Sequence, residues 1–104
     1  MVIQQIKLKS SLSDAEARTV MEERAPRFRE VPGLLQKYHT HEPETGELCC
    51  IYVFDSAEAL TAFRETELAQ AIPSAFKAES TRVETYELLF PLHAERSQPT
   101  RLAI

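Results

Sequence analysis

Leu48-Cys49-Cys50-Ile51-Tyr52-Val53-Phe54 is an unbroken apolar run of strand length, rich in the β-branched and aromatic types that suit a pleated surface. Successive strand side chains point to opposite sides of a sheet, so this strand is apolar on both faces. It therefore needs a cover on each side. One short chain has helices for only one of them, and the second cover is expected to be another copy of the same sheet.

Immediately upstream, Glu42-Pro43-Glu44-Thr45-Gly46-Glu47 is polar throughout with Pro and Gly at turn positions, the composition of a hairpin loop. Before it, Leu34 to His41 reads as a strand that follows a break at Val31-Pro32-Gly33. Strict alternation along it puts Leu35, Lys37, His39 and His41 on one face and Tyr38 on the other. Downstream, Asp55 or Ser56 caps a helix carrying Ala59, Leu60, Phe63 and Glu67, with Asp55 and Glu58 in capping-box spacing. Leu68 to Phe76 reads as a further short helical segment interrupted by Pro73. A last strand is expected from Arg82 to Phe90, with Val83, Thr85, Glu87 and Leu89 alternating against Glu84, Tyr86, Leu88 and Phe90, and Pro91 ending it.

At the amino terminus, Val2, Gln4, Ile6 and Leu8 share one face of a strand and Ile3, Gln5, Lys7 and Lys9 the other. In Leu12-Ser13-Asp14-Ala15-Glu16, Ser13 and Glu16 form a capping box that starts a helix, whose apolar stripe is Ala17, Val20, Met21, Arg24 and Phe28. Pro26 is expected to kink this helix or end it near Arg24, with a short turn resuming to Glu30. The order is β-α-β-β-α-β, an α+β ferredoxin-like fold with an antiparallel four-stranded sheet. Residues 1–91 are read as one domain and 92–104 as a C-terminal tail, disordered or laid on a neighbour.

Composition narrows the function classes. Charged residues are 27% of the chain, with a net charge of −4 and the signs mixed, so no basic face is available for nucleic acid or an anionic membrane. No apolar run approaches the ~20 residues that span a bilayer. Met1-Val2-Ile3-Gln4-Gln5 lacks a basic region leading into an apolar stretch, which points to a cytoplasmic protein. Cys49 and Cys50 are neighbours and cannot form a disulfide framework. Plain packing is the first reading for them and a reactive or ligating thiol the second, and reduced surroundings fit either.

Val31-Pro32-Gly33-Leu34-Leu35-Gln36-Lys37-Tyr38, then Pro43-Glu44-Thr45-Gly46-Glu47, then Ile51-Tyr52-Val53-Phe54-Asp55-Ser56 resemble the YdhR-like mono-oxygenases of the dimeric α+β barrel superfamily. There a Pro-Gly-Leu turn feeds a strand bearing Lys and an aromatic, and a Glu-Thr-Gly hairpin returns to an apolar strand. The resemblance covers residues 2–91. It departs at Cys49 and Cys50, which stand where that family has a small, often Gly-rich pair. The resemblance implies a homodimer with a pocket between sheet and helices in each subunit. In superfamily members that oxidise aromatic polyketides, the substrate's own carbanion reduces dioxygen, so no metal, flavin or other cofactor is implied. The chain has no Trp and no Asn, which argues against the Asn-Trp-His set of haem-degrading members.

Such chemistry asks for a base, donors for an enolate oxygen and a dry pocket. His39, deeper in its strand than His41, is the candidate base, with an interface or core histidine as the alternative. Tyr38 and Tyr52 are candidate catalytic hydroxyls. Lys37, Tyr86, Arg24 and Phe63 are candidate substrate contacts. Each has a plain counterpart: Tyr packs in sheets, an edge-strand Lys discourages further pairing, and Arg24 and Arg64 can snorkel to water. Met21, Phe28, Phe63 and Phe76 sit at core spacing. His39 and His41 can share a metal only with a third convergent ligand, and none is assigned.

The expected function is a cofactor-independent mono-oxygenase acting on a small aromatic or polyketide-like compound. The alternative is a non-catalytic, ligand-binding or stress-associated dimer. Isomerase or lyase chemistry would draw on the same proton-transfer groups.

Overall fold

The computed structural model describes residues 1–95. Strand β1 spans Val2–Ser10, β2 Leu34–His41, β3 Leu48–Phe54 and β4 Ala78–Glu87. β3 alternates as its composition requires: Leu48, Cys50, Tyr52 and Phe54 are buried, while Cys49, Ile51 and Val53 are half-buried on the opposite face. It pairs with β1 from Val2↔Phe54 to Leu8↔Leu48, and with β2 through Lys37↔Tyr52, His39↔Cys50 and His41↔Leu48. β4 lies along the other side of β1, and every pairing is antiparallel. The sheet order β2-β3-β1-β4 is the ferredoxin-like arrangement expected from the sequence.

Four helices, α1 (Asp14–Arg29), α2 (Ala57–Arg64), α3 (Glu67–Gln70) and α4 (Ile72–Ala75), supply one cover. Their Ala17, Phe28, Leu60, Phe63, Leu68 and Ile72 close over the inner faces of β1 and β3 to make the core. Ser13 caps α1 with the capping box in place: its hydroxyl accepts from the Glu16 N–H at 3.2 Å, and Glu16 accepts from the Ser13 N–H at 2.9 Å. Ser56, not Asp55, caps α2. The opposite sheet face carries Ile3, Ile51, Val53, Tyr38 and Tyr86, with Tyr38 52% and Tyr86 47% exposed. Among the described residues no helix is long and apolar enough to cross a membrane.

Four local expectations need correction. α1 does not end near Arg24 but runs through Pro26 to Arg29. Pro26 is exposed, so the carbonyl it leaves without a donor can be hydrated, and Phe28 two residues on is anchored in the core. The segment from Leu68 is two short helices, the second with Pro73 in its first turn, where a missing N–H costs nothing. β4 spans Ala78–Glu87, not Arg82 to Phe90. Its only partner among the described residues, β1, starts at Val2, so after the Leu88 N–H to Met1 carbonyl bond no described strand is left to pair with, and Leu89 and Phe90 stay exposed. Finally, β2 has a bulge between Leu34 and Gln36, so Leu34 lies opposite Phe54 on the inner face and Leu35 is turned out to water. Most of the expected tail, from residue 96 on, lies outside the described residues.

Candidate functional site

The bulge sets the phase of β2 so that Lys37, His39 and His41 all face α1, opposite Tyr52, Cys50 and Leu48. Between this strand and the helix runs a groove in two adjoining hollows that share Ala25, Lys37 and His39. The first, about 590 Å³, is bounded by Ala17, Met21 and Leu48, with Asp14, Arg18 and Glu22 at its rim. The second, about 470 Å³, extends past Phe28 to Leu34.

Lys37 is the central group. Its Nζ lies 3.3 Å from the centroid of the Phe28 ring and 4.8 Å from that of Tyr52, and it forms no ion pair among the described residues. Burial pushes its pKa down to about 8; Cys50 acts in the opposite direction, and the Arg24 guanidinium lowers it further. His39 presents Nδ1 to the Cys50 Sγ at 3.8 Å, and the residue lines the groove. Burial, followed by the charge of Lys37, holds its pKa down at about 4, so the imidazole is neutral at pH 7.

Beneath Lys37, the Tyr52 ring packs against Phe28, Phe63 and Phe54 at centroid distances of 6.1, 5.7 and 6.4 Å. Its hydroxyl is buried without a hydrogen-bond partner, and burial raises its pKa above the usual phenol range. Arg24 crosses from α1, donating from Nη2 to the Leu68 carbonyl at 2.7 Å and lying 5.6 Å from the Phe28 ring, but its Nε is likewise buried and unpartnered. Unpaired buried donors are costly, about 1–3 kcal/mol each. Here two of them accompany a third group, the Lys37 amine, with no acid facing them in an ion pair. The arrangement suits a developing negative charge on a flat, apolar molecule.

The sequence candidates thus divide by sheet face. His39, Lys37, Tyr52, Arg24 and Phe63 lie on the helix side, Phe63 as a buried wall of the core. Tyr86 lies on the open face, outside this groove; Tyr38 belongs to the same open face by register, although it also borders the first hollow. Arg64 is bound to the far half of the sheet: it donates to Thr85 Oγ1 at 2.7 Å, and the Gln4 side-chain oxygen, with the amide turned towards it, accepts from its Nε and Nη2 at 3.0 and 3.1 Å. Among the described residues no three His, Cys, Asp or Glu side chains converge as a metal-ligand set. Phe28, read as core, and Cys50, read first as packing and second as a reactive or ligating thiol, both belong to the site. The signal for Cys50 was the hairpin register, since setting His41 opposite Leu48 also sets His39 against Cys50 and Lys37 against Tyr52.

The chain is similar in structure to a "putative antibiotic biosynthesis monooxygenase" from Deinococcus radiodurans, at 19% identity and a TM-score of 0.72, over 90% of this chain and 98% of that one. A second such protein, from Caulobacter crescentus, is 21% identical with a TM-score of 0.71, over 86% and 90% of the two chains. SnoaB of Streptomyces nogalater, described as a cofactor-independent oxygenase, is 15% identical with a TM-score of 0.71, over 88% and 95%. At these identities the likeness establishes the fold. No curated protein matches the chain. The family model "Putative mono-oxygenase ydhR" matches residues 3–98. A match that spans nearly the whole sequence makes this chain a member of the YdhR mono-oxygenase family.

Proposed function

We propose that this protein is a cofactor-independent mono-oxygenase that takes a small aromatic or polyketide-like compound into the groove between α1 and β2. The observation that carries this reading is the cluster of Lys37, the Tyr52 hydroxyl and Arg24 Nε beneath that groove, donors without an acceptor among aromatic rings. A substrate with an acidic C–H bond loses its proton to the Lys37 amine that borders the groove, and the enolate charge is held by the resulting ammonium, with the buried Arg24 guanidinium adding its field from beneath. The carbanion then reduces dioxygen: one oxygen atom enters the product, the other leaves as water, and all the electrons come from the substrate. With its imidazolium near pKa 4, His39 is a weak base, whereas the Lys37 amine, at about 8, is better matched to proton abstraction near neutral pH. His39 then serves as a neutral wall and proton relay beside it.

The working unit in this reading is a homodimer of a domain spanning residues 1–91, joined through the open sheet face that carries Ile3, Ile51, Val53, Tyr38 and Tyr86. Oxygen uptake tests the function. Enolisable polycyclic phenols and their ketone tautomers should consume one dioxygen per molecule converted, and product formation should stop under anaerobic conditions. Turnover that continues without dioxygen would assign the groove to isomerase or lyase chemistry. A compound that raises thermal stability yet is recovered intact would leave a binding protein.

A further inference from the structure

An amine held among aromatic rings, open to a groove and free of any ion pair among the described residues, has a second reactivity besides taking up protons. We propose that Lys37 is a nucleophile that captures a carbonyl substrate, a ketone or 1,3-dicarbonyl compound, as a Schiff base within the α1–β2 groove. The inference rests on that groove being the substrate site, but not on the dioxygen chemistry.

The geometry separates Lys37 from the other three lysines of the chain. Lys7 stands 3.8 Å from Glu47 in an ion pair, and Lys9 and Lys77 are exposed. Of the four lysines, Lys37 alone lines both hollows of the groove among the described residues. Its Nζ rests on the faces of Phe28 and Tyr52, and such walls keep water from hydrolysing an imine once it has formed. The titratable groups packed around it are Arg24 from α1, His39 from β2, and Cys50 and Tyr52 from β3, with Asp14, Arg18 and Glu22 at the groove mouth. The nearby guanidinium and the burial both favour the uncharged amine that attacks.

The step balances without an oxidant. The nitrogen lone pair forms a bond to the carbonyl carbon, and one nitrogen proton passes to the carbonyl oxygen to give a carbinolamine. Loss of that hydroxyl together with the second nitrogen proton, as water, leaves the C=N bond. With a 1,3-dicarbonyl partner the imine shifts a proton from the intervening carbon and becomes a conjugated enaminone. Such an enamine carbon is electron-rich, the property required of a substrate that reduces dioxygen.

Pentane-2,4-dione is the probe. The intact protein is incubated with it near pH 7.5, digested and mapped by mass spectrometry, with borohydride reduction in a parallel sample to fix unconjugated imines. The expected result is a gain of the diketone mass less one water on the peptide bearing Lys37, at least about tenfold above the labelling of Lys9 and Lys77. In K37R and K37M this adduct is absent while the other lysines label as before. Equal labelling of all four lysines, or none at Lys37 in the native protein, would overturn the proposal. The mapping needs no folded variant, so a destabilised substitution does not spoil the test. Oxygen uptake is scored separately: labelling at Lys37 without uptake retains the Schiff base and removes the oxygenase, and uptake without labelling at Lys37 does the reverse.

Discussion

A lysine resting on two aromatic rings, with no carboxylate paired to it among the described residues, is under-solvated in its charged form. At pH 7 the folded state must hold that charge against a folded pKa of about 8, while the unfolded chain binds the proton near the ordinary 10.5. Between those values the unfolded state carries more protons, so the Lys37 contribution makes stability rise with pH over that window, and below it the penalty is fully present. K37M, which keeps the length and loses the charge, should be more stable than the native protein by about 1–2 kcal/mol at pH 7, allowing for partial exposure and the lost ring contact. Urea unfolding at pH 7 and pH 10 checks it, the gain shrinking at the higher pH. Loss of activity in the same variant would mark a position where function is kept at the expense of the fold. His39 gives the acid counterpart. Its folded pKa near 4 lies below the ordinary 6.5, so stability should fall as pH drops from 6.5 towards 4, and H39Q should flatten that limb. An unchanged slope in H39Q would show that another group governs it.

Among the elements, the break between α1 and β2 controls where this lysine is delivered. Gly33 has φ +79°, and a Cβ there would lie 2.5 Å from the Ala59 Cβ and 2.8 Å from Asp55 Oδ1. Its carbonyl accepts from the Asp55 N–H at 2.9 Å, tying the turn to the start of α2. G33A should therefore cost about 2–4 kcal/mol, from backbone strain plus a contact neither backbone can easily yield, measurable as a fall in the denaturation midpoint. Pro26 offers the opposite case. P26A restores a donor inside α1 at an exposed position and should stabilise by about 1–3 kcal/mol. The extents of β2 and β3 were legible because the Val31-Pro32-Gly33 break and the loop at 42–47 bound the two strands sharply. The end of β4 was not, because its own sequence stays apolar to Phe90 and only the length of β1 stops the pairing. Nor was the length of α1, since a local proline rule competes with the burial of Phe28, and which wins depends on tertiary contacts. Lys37 and His39 were placed on a common face by alternation alone, but their neighbours Phe28, Arg24 and Cys50 required the packing of a helix and the register of a hairpin.

At the level of the whole molecule, the helices cover one face of the sheet and leave Ile51 and Val53 half-buried at the centre of the other. A second sheet laid on this face would bury Tyr38 and Tyr86, which otherwise hold large apolar bodies in water. Sedimentation should return twice the 11.8 kDa chain mass at micromolar concentration. I51E, which puts a charge at the centre of that face without touching the groove, should return the single mass with its circular dichroism retained. A native protein that sediments as a monomer would remove the dimer from the proposal and leave the groove chemistry to be judged alone.

The spare residue at the head of β2 has an implication for how such a groove can change over time. Leu34 and Gln36 pair with consecutive residues of β3, so Leu35 is looped out and the ladder on either side does not count it. The strand behaves as two pieces of independent phase, one fastened to the glycine turn and one bearing the amine and the imidazole. Excising Leu35 would leave both pieces opposite the partners they have now, whereas excising any residue from Lys37 to His41 would turn inside out everything between the cut and the bulge or the hairpin. Lineages that gain or lose a residue at position 35 can thus lengthen or tighten the approach to the groove while its reactive side chains keep their orientation.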